Sequence, residues 1–439
     1  MPDLFFGYSL SAMVLTSTRP DLVPAAQASP ARLAALDALR AVGAIAVVAC
    51  HVGFNTGASR EGLWGGLLAR FDVGVAIFFA LSGFLLFRPF AHAAATGGKR
   101  PAVRRYLWRR ALRILPAYWL AVAGYLLLVE QPGKVTTLTW IDHLALTQVY
   151  GFGRFAEGFG HTWSLCTEVA FYFVLPAVAG IVLIGRWRPG RTIVTLAALG
   201  IGITGGWIAL MSAGFINASP HGLWLPSYAG WFAAGMALAV AKVALETDTA
   251  ARRFRVLDEL ASAPLACWLI AFAALAIATT PLAGPRDLRS PDAAEFAVKL
   301  VLYTVVAVML LIPLAFGPAN RFSGAFSSAP ARWLGLVSYG LFLWHPLVIA
   351  FVYRPGGRQI FTGDFGSTFA IVLAAGLALA TLSYYLLERP AQLLSRLGGS
   401  GRKRPAGEGK PQKADRAKAQ RLGEPVDGAL LSAPRGDAG

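Results

Sequence analysis

The sequence predicts an all-α protein, a polytopic membrane bundle of about ten transmembrane helices with both termini cytoplasmic. Three observations carry that expectation. Hydrophobic residues make up 56% of the 439 and charged residues only 14%, against roughly 25% charged in a soluble domain. The apolar residues gather in runs close to the ~20 needed to cross the hydrocarbon layer. The charges between those runs are dominated by arginine in every second segment, which is the pattern of the positive-inside rule. In a soluble chain the formal net charge of +17 would suggest nucleic acid. Here the excess is a topology signal, so the expected partner is the lipid bilayer and no nucleic acid is expected.

Residues 1–32 read as a disordered leader. The apolar stretch Leu4–Leu15 is short and lacks a basic start, which disfavours a signal peptide despite the small-x-small pattern at Ala26-Gln27-Ala28. Residues 33–390 should form the transmembrane domain. The first half gives spans at Leu36–Phe54, Phe71–Phe90, Arg113–Val129, Thr162–Ile184 and Ile193–Ala213. The second half gives Leu223–Leu245, Pro264–Thr280, Phe296–Phe316, Leu334–Tyr353 and Phe369–Leu387. Prolines inside several spans are tolerated in membrane helices, where neighbours satisfy the freed carbonyls.

Orientation follows the arginines. Arg88, Lys99, Arg100, Arg104, Arg105, Arg109, Arg110 and Arg113 lie between the second and third spans with no acid among them. Arg186, Arg188 and Arg191 follow the fourth span, Arg252, Arg253 and Arg255 the sixth, and Arg402, Lys403 and Arg404 the tenth. With ten spans all these segments fall on one side, the cytoplasmic one. Residues 391–439 are rich in Gly, Pro, Lys and Arg and read as a disordered basic tail. Cys50, Cys166 and Cys267 lie singly in apolar runs and read as small hydrophobes, without metal-ligand spacing.

Few residues carry chemistry. Arg40 and His51 are 11 residues apart, about three helical turns and ~16 Å of rise, so they share a face. Arg40 lies near the cytoplasmic end, where an arginine can snorkel. His51 lies well inside the layer, and ionisable residues at that depth mark function. Glu168 lies about 10 Å below the outer surface and His51 at a similar depth, which makes them a base and its orienting partner. His161 is seven residues before Glu168, on the same face and at the outer mouth. Arg109, Arg110 and Arg113 form either a positive-inside anchor or a phosphate clamp. His345, within Ser338-Tyr339-Gly340-Leu341-Phe342-Leu343-Trp344-His345-Pro346, falls near the midplane. His92, His143 and His221 receive no role.

These residues resemble the acyltransferase 3 family of integral membrane O-acyltransferases over about Leu33 to Pro390. Arg40 and His51 match its arginine-ten-residues-histidine motif. Phe78-Phe79-Ala80-Leu81-Ser82-Gly83-Phe84-Leu85 matches the second-helix motif and Arg110 to Tyr118 the third. His161-Thr162-Trp163-Ser164-Leu165 with Glu168 matches the fourth-helix pattern, and Tyr339 to His345 the late aromatic-histidine pattern.

The resemblance implies ten core helices, cytoplasmic acyl-CoA as co-substrate with no tightly bound cofactor, and a hydroxyl acceptor reached from outside. That acceptor is a glycan, glycolipid or glycosylated metabolite. On this reading His51 and Glu168 are catalytic, and Arg40, Arg110 and Arg113 hold the anionic part of coenzyme A. Asp37, Ser82, His161, Trp163, Ser164, Tyr339 and His345 are further substrate-contacting or structural candidates. Two routes stay open, with His51 as general base or as the carrier of the acyl group. The rival class is a proton-coupled transporter or flippase, in which the same buried ionisable residues relay protons.

Overall fold

The computed structural model describes residues 30–397, apart from 61, 132, 152–155, 157, 248–253, 287, 288, 290 and 354–356. The leader up to residue 29 and the tail from residue 398 therefore lie outside the described residues. Among the described residues there are helices and turns and no strand. Among the same described residues, nine helices are long and apolar enough to cross a membrane, or ten if one bent pair counts as a span. The chain is an all-α, multi-pass membrane protein, as its hydropathy predicts.

Helix α1 (Pro30–Thr56) starts inside the expected leader. Helices α2 (Gly62–Arg70) and α3 (Gly74–Thr96) form the second span, broken at the 3₁₀ turn Phe71–Val73. The span thus begins nine residues before the predicted Phe71. Asp72 stands in that break, where its carboxylate meets Lys299 and Tyr303 instead of lipid. Helix α4 (Val103–Leu128) begins ten residues before the predicted Arg113. Arg104, Arg105, Arg109, Arg110 and Arg113 therefore stand in its first turns, while Lys99 and Arg100 stay in the connecting loop. Arginine is a good helix former, and its long stem lets the charge reach water from a helix end.

The short helix α5 (Thr137–Leu144) leads to α6 (Trp163–Val182), and α7 (Pro189–Ser212) leads through the short turn α8 (Ala218–His221) to α9 (Ala229–Glu246). The predicted seventh span is a pair, α10 (Arg255–Ser262) and α11 (Pro264–Ala278), bent by 89°. Pro264 cannot continue the preceding hydrogen-bond ladder, which accounts for the bend. Helices α12 (Ala293–Phe316), α13 (Arg321–Phe326) and α14 (Ala329–Val352) follow. Last come α15 (Phe365–Ser383), a π turn at Tyr384–Glu388, and α16 (Arg389–Leu397). The boundary placed at 390 falls inside α16, so residues 391–397 are helical.

Helix α1 packs on α3, α14 and α15 and so runs through the middle of the bundle. Its residues Leu39, Ala44, Val48 and Val52 are fully buried. The closest crossing is between α3 and α9. A Cβ on Gly235 would lie 2.0 Å from the Ala80 carbonyl oxygen, and one on Gly83 would lie 2.3 Å from that of Phe232. Small residues let membrane helices approach this closely and gain dispersion contacts that lipid tails cannot replace. Gly235→Val should force the two helices apart. Fluorescence-detected gel filtration after heating should show a clearly lower melting temperature, and an unchanged one would remove this crossing from the stability of the fold.

Candidate functional site

Arg40 and His51 line two different cavities along one helix, separated by about 16 Å of rise. Phe342 of α14 lines both cavities and so stands between them.

The cavity at Arg40 is small, about 70 Å³. Its wall includes Arg40, Arg110 and Arg113, together with Ser82, Ser164, Glu168, Tyr172, Ser338 and Tyr339. The structure thus brings together the three arginines singled out in the sequence. Asp37 pairs with Arg40 from one turn back and holds its guanidinium in place. The Nε of Arg110 is buried with no hydrogen-bond partner. A buried guanidinium N–H left unpaired is costly, which suits a position that meets an anion in the working complex. The Tyr339 hydroxyl donates to the Ile114 carbonyl at 3.0 Å and ties α14 to α4 beside this cavity.

Glu168 belongs here, not with His51. It accepts from the Ser82 hydroxyl and from the Tyr172 hydroxyl, the latter at 2.8 Å. The expected pairing of His51 with Glu168 is corrected by the entry to α6, a 3₁₀ turn at Gly160–Thr162. That turn sets His161 at the level of His51, with ring centroids 6.3 Å apart. Glu168 lies two helical turns further along, about 10 Å deeper.

The partner of His51 is His345. Their Nδ1 and Nε2 atoms are 2.7 Å apart, and the rings stack at 5.0 Å. His345 is fully buried, and its Nδ1 lies 3.1 Å from the Leu341 carbonyl oxygen. A carbonyl only accepts, so His345 Nδ1 carries the proton and, in the neutral ring, Nε2 offers a lone pair. His51 Nδ1 must then donate to it. That leaves His51 Nε2 unprotonated, the form a general base requires.

His51 and His161 line a cavity of about 240 Å³ with Asp72, Trp163, Tyr228, Trp231, Phe296 and Lys299. His161 is 9% exposed, and neither of its ring nitrogens has a hydrogen-bond partner. The loop before it is pinned by Gln148, fully buried, whose amide donates to the Thr162 hydroxyl at 3.0 Å and the Tyr118 hydroxyl at 3.2 Å. His143 has a structural part here. Its Nδ1 lies 2.8 Å from the Thr139 carbonyl oxygen, its own carbonyl accepts from Tyr118, and burial lowers its pKa. Trp163 therefore faces the His51 cavity and Ser164 the arginine cavity, although they are neighbours in sequence.

Asp72 and Lys299 were not singled out from the sequence. Their side chains pair at 2.7 Å, and Tyr303 donates to the same carboxylate. The signal was there, since a lysine in an apolar helix and an aspartate in an apolar span each call for a partner.

The chain is 23% identical over 337 residues to the peptidoglycan O-acetyltransferase OatA of Listeria monocytogenes, covering 72% of this chain and 49% of the relative. It is 24% identical over 404 residues to the O-acetyltransferase OatA of Staphylococcus aureus, covering 82% and 57%. It is 28% identical over 187 residues to nodulation protein 10 of Rhizobium leguminosarum bv. viciae, covering 37% and 48%. The chain thus spans about half the length of the curated relatives it matches. No solved structure matches it. The acyltransferase 3 family model, described as an acyltransferase domain, matches residues 33–388, and the chain belongs to that family.

Proposed function

We propose that the chain is a membrane O-acyltransferase that moves an acyl group, acetyl in the first instance, from cytoplasmic acyl-CoA to a hydroxyl of an extracytoplasmic glycan or glycoside. The observation that carries this reading is the 2.7 Å contact of His51 with His345 at one end of a helix whose other end meets three arginines, a contact that suits His51 as a base. The arginines suit the phosphates of coenzyme A, which guanidinium groups bind by paired hydrogen bonds. The pantetheine arm runs along α1, and its acyl end passes Phe342 to reach His51.

The acceptor hydroxyl gives its proton to His51 Nε2 as its oxygen attacks the thioester carbonyl carbon. The C–S bond breaks, and the departing thiolate takes the proton back from the imidazolium. The products are an ester and free coenzyme A. The relatives named as O-acetyltransferases support acetyl as the group and, for the Listeria protein, a glycan as acceptor.

Purified full-length chain should bind acetyl-CoA by calorimetry and release free coenzyme A from it. Absence of both would overturn the reading. Arg40→Ala should weaken acetyl-CoA binding by about 10-fold or more, the usual loss for a charge-assisted bond. Unchanged affinity would remove Arg40 from the donor site.

The same reading places both termini and the segment around Gly98 in the cytoplasm. A thiol introduced at Gly98, an exposed position, should resist a membrane-impermeant maleimide in intact cells. One at Leu282, 63% exposed, should react. Ala283, beside it, is buried and makes a poor probe. Labelling at Gly98 with none at Leu282 would invert the topology.

A further inference from the structure

The geometry points to the cavity beside His51 as the acceptor subsite, shaped for one uncharged sugar ring whose neighbouring hydroxyls are held by the Asp72–Lys299 pair. This rests on the O-acyltransferase reading above and names what that site takes.

Four observations bring it out. The space, about 240 Å³, lies just below the ~300–1,000 Å³ of drug-sized pockets, so it fits one ring and not an extended chain. Trp163, Tyr228, Trp231 and Phe296 line it. Aromatic walls suit a pyranose, which presents C–H bonds on its faces and hydroxyls around its edge.

The polar end has spare capacity of the matching kind. Asp72 has about four acceptor positions, of which Lys299 and Tyr303 occupy two. Lys299 has three N–H donors, and one is used on Asp72. Two acceptors and two donors remain side by side, which complements a pair of adjacent hydroxyls, each able to donate and accept. The side chains of Lys299 and Asp72 are 22% and 37% exposed, so neither is sealed away. Their charges cancel, which favours a neutral ring over a carboxylate or an amine.

The fourth observation is His161. It is more than nine-tenths buried, lines the same space, and has no partner for either nitrogen. A buried imidazole left unpaired loses hydrogen-bond energy that an incoming hydroxyl restores. With His51 Nε2 free in the same cavity, a ring gripped by Asp72 and Lys299 places a further hydroxyl against the base.

The test uses purified full-length chain in detergent, acetyl-CoA as donor, and the methyl β-glycosides of glucose, galactose and N-acetylglucosamine as acceptor probes. Acetylated glycoside is read by mass spectrometry. Wild type is expected to acetylate at least one glycoside. Lys299→Met should raise KM for that glycoside by about 10–100-fold, with acetyl-CoA affinity by calorimetry unchanged. Because loss of an ion-pair partner can unfold a helix bundle, Phe296→Trp gives a second route. It narrows the cavity while keeping both charged side chains of the pair, and it should raise the same KM with donor affinity retained.

If wild type releases coenzyme A but acetylates none of the three probes, the sugar-ring assignment falls and the donor reading stands. Unchanged glycoside KM in both variants would also overturn it. If wild type neither binds acetyl-CoA nor releases coenzyme A, the O-acyltransferase reading itself fails.

Discussion

His51→Ala is expected to lower acyl-transfer turnover by about 10²–10⁴-fold, the usual contribution of a positioned general base. Acetyl-CoA affinity should stay close to that of wild type, because the histidine lies about 16 Å along α1 from Arg40 and meets only the reacting end of the donor. The side chain is half-buried beside a cavity, so its truncation enlarges existing space more than it opens a new hole in the core. Coenzyme A release would report turnover, and calorimetry would report binding. Retained turnover would remove His51 from the chemistry, and loss of donor binding would mean that the two cavities are not divided as proposed.

His345→Phe is expected to cost about 10²-fold or more in turnover, although His345 touches no substrate in this scheme. A flat aromatic ring is kept in a fully buried position beside Phe342, so folding should survive. What disappears is the lone pair that accepts from His51 Nδ1 at 2.7 Å. His51 is then free to carry its proton on Nε2, where it cannot act as a base. His345→Gln supplies a side-chain carbonyl that can accept the same proton, and it should recover part of the lost rate. A purely structural role predicts the opposite order, because phenylalanine is the better packing replacement. Equal activities of the two variants, or a more active phenylalanine, would discard the positioning role.

Much of this arrangement could be read along the chain. Apolar runs give the spans, since crossing a bilayer demands length and internal backbone hydrogen bonds whatever the neighbours are. The helical repeat places Arg40 and His51 on one face, and the cost of burying an imidazole marks both His51 and His345. Distances between helices are not legible in this way. Equal depth in the membrane suggested that Glu168 serves His51, but depth says nothing about which side of a helix faces which neighbour. Charge alone does not end a helix either, and Arg104, Arg105, Arg109 and Arg110 lie within α4.

The sequence by itself therefore determined what lies within one helix: the spans, the shared face of Arg40 and His51, and the family motifs. Only the tertiary structure decided which helices exchange partners. It moved Glu168 to Ser82 and Tyr172, and it joined His51 to a histidine 294 residues away. It also closed the Asp72–Lys299 pair across 227 residues. The physical reason is that rise and periodicity are local properties of the backbone, fixed by hydrogen bonds four residues apart. Contacts between helices depend on small-residue crossings such as Gly83 with Gly235 and on a 3₁₀ turn that shifts where a helix starts.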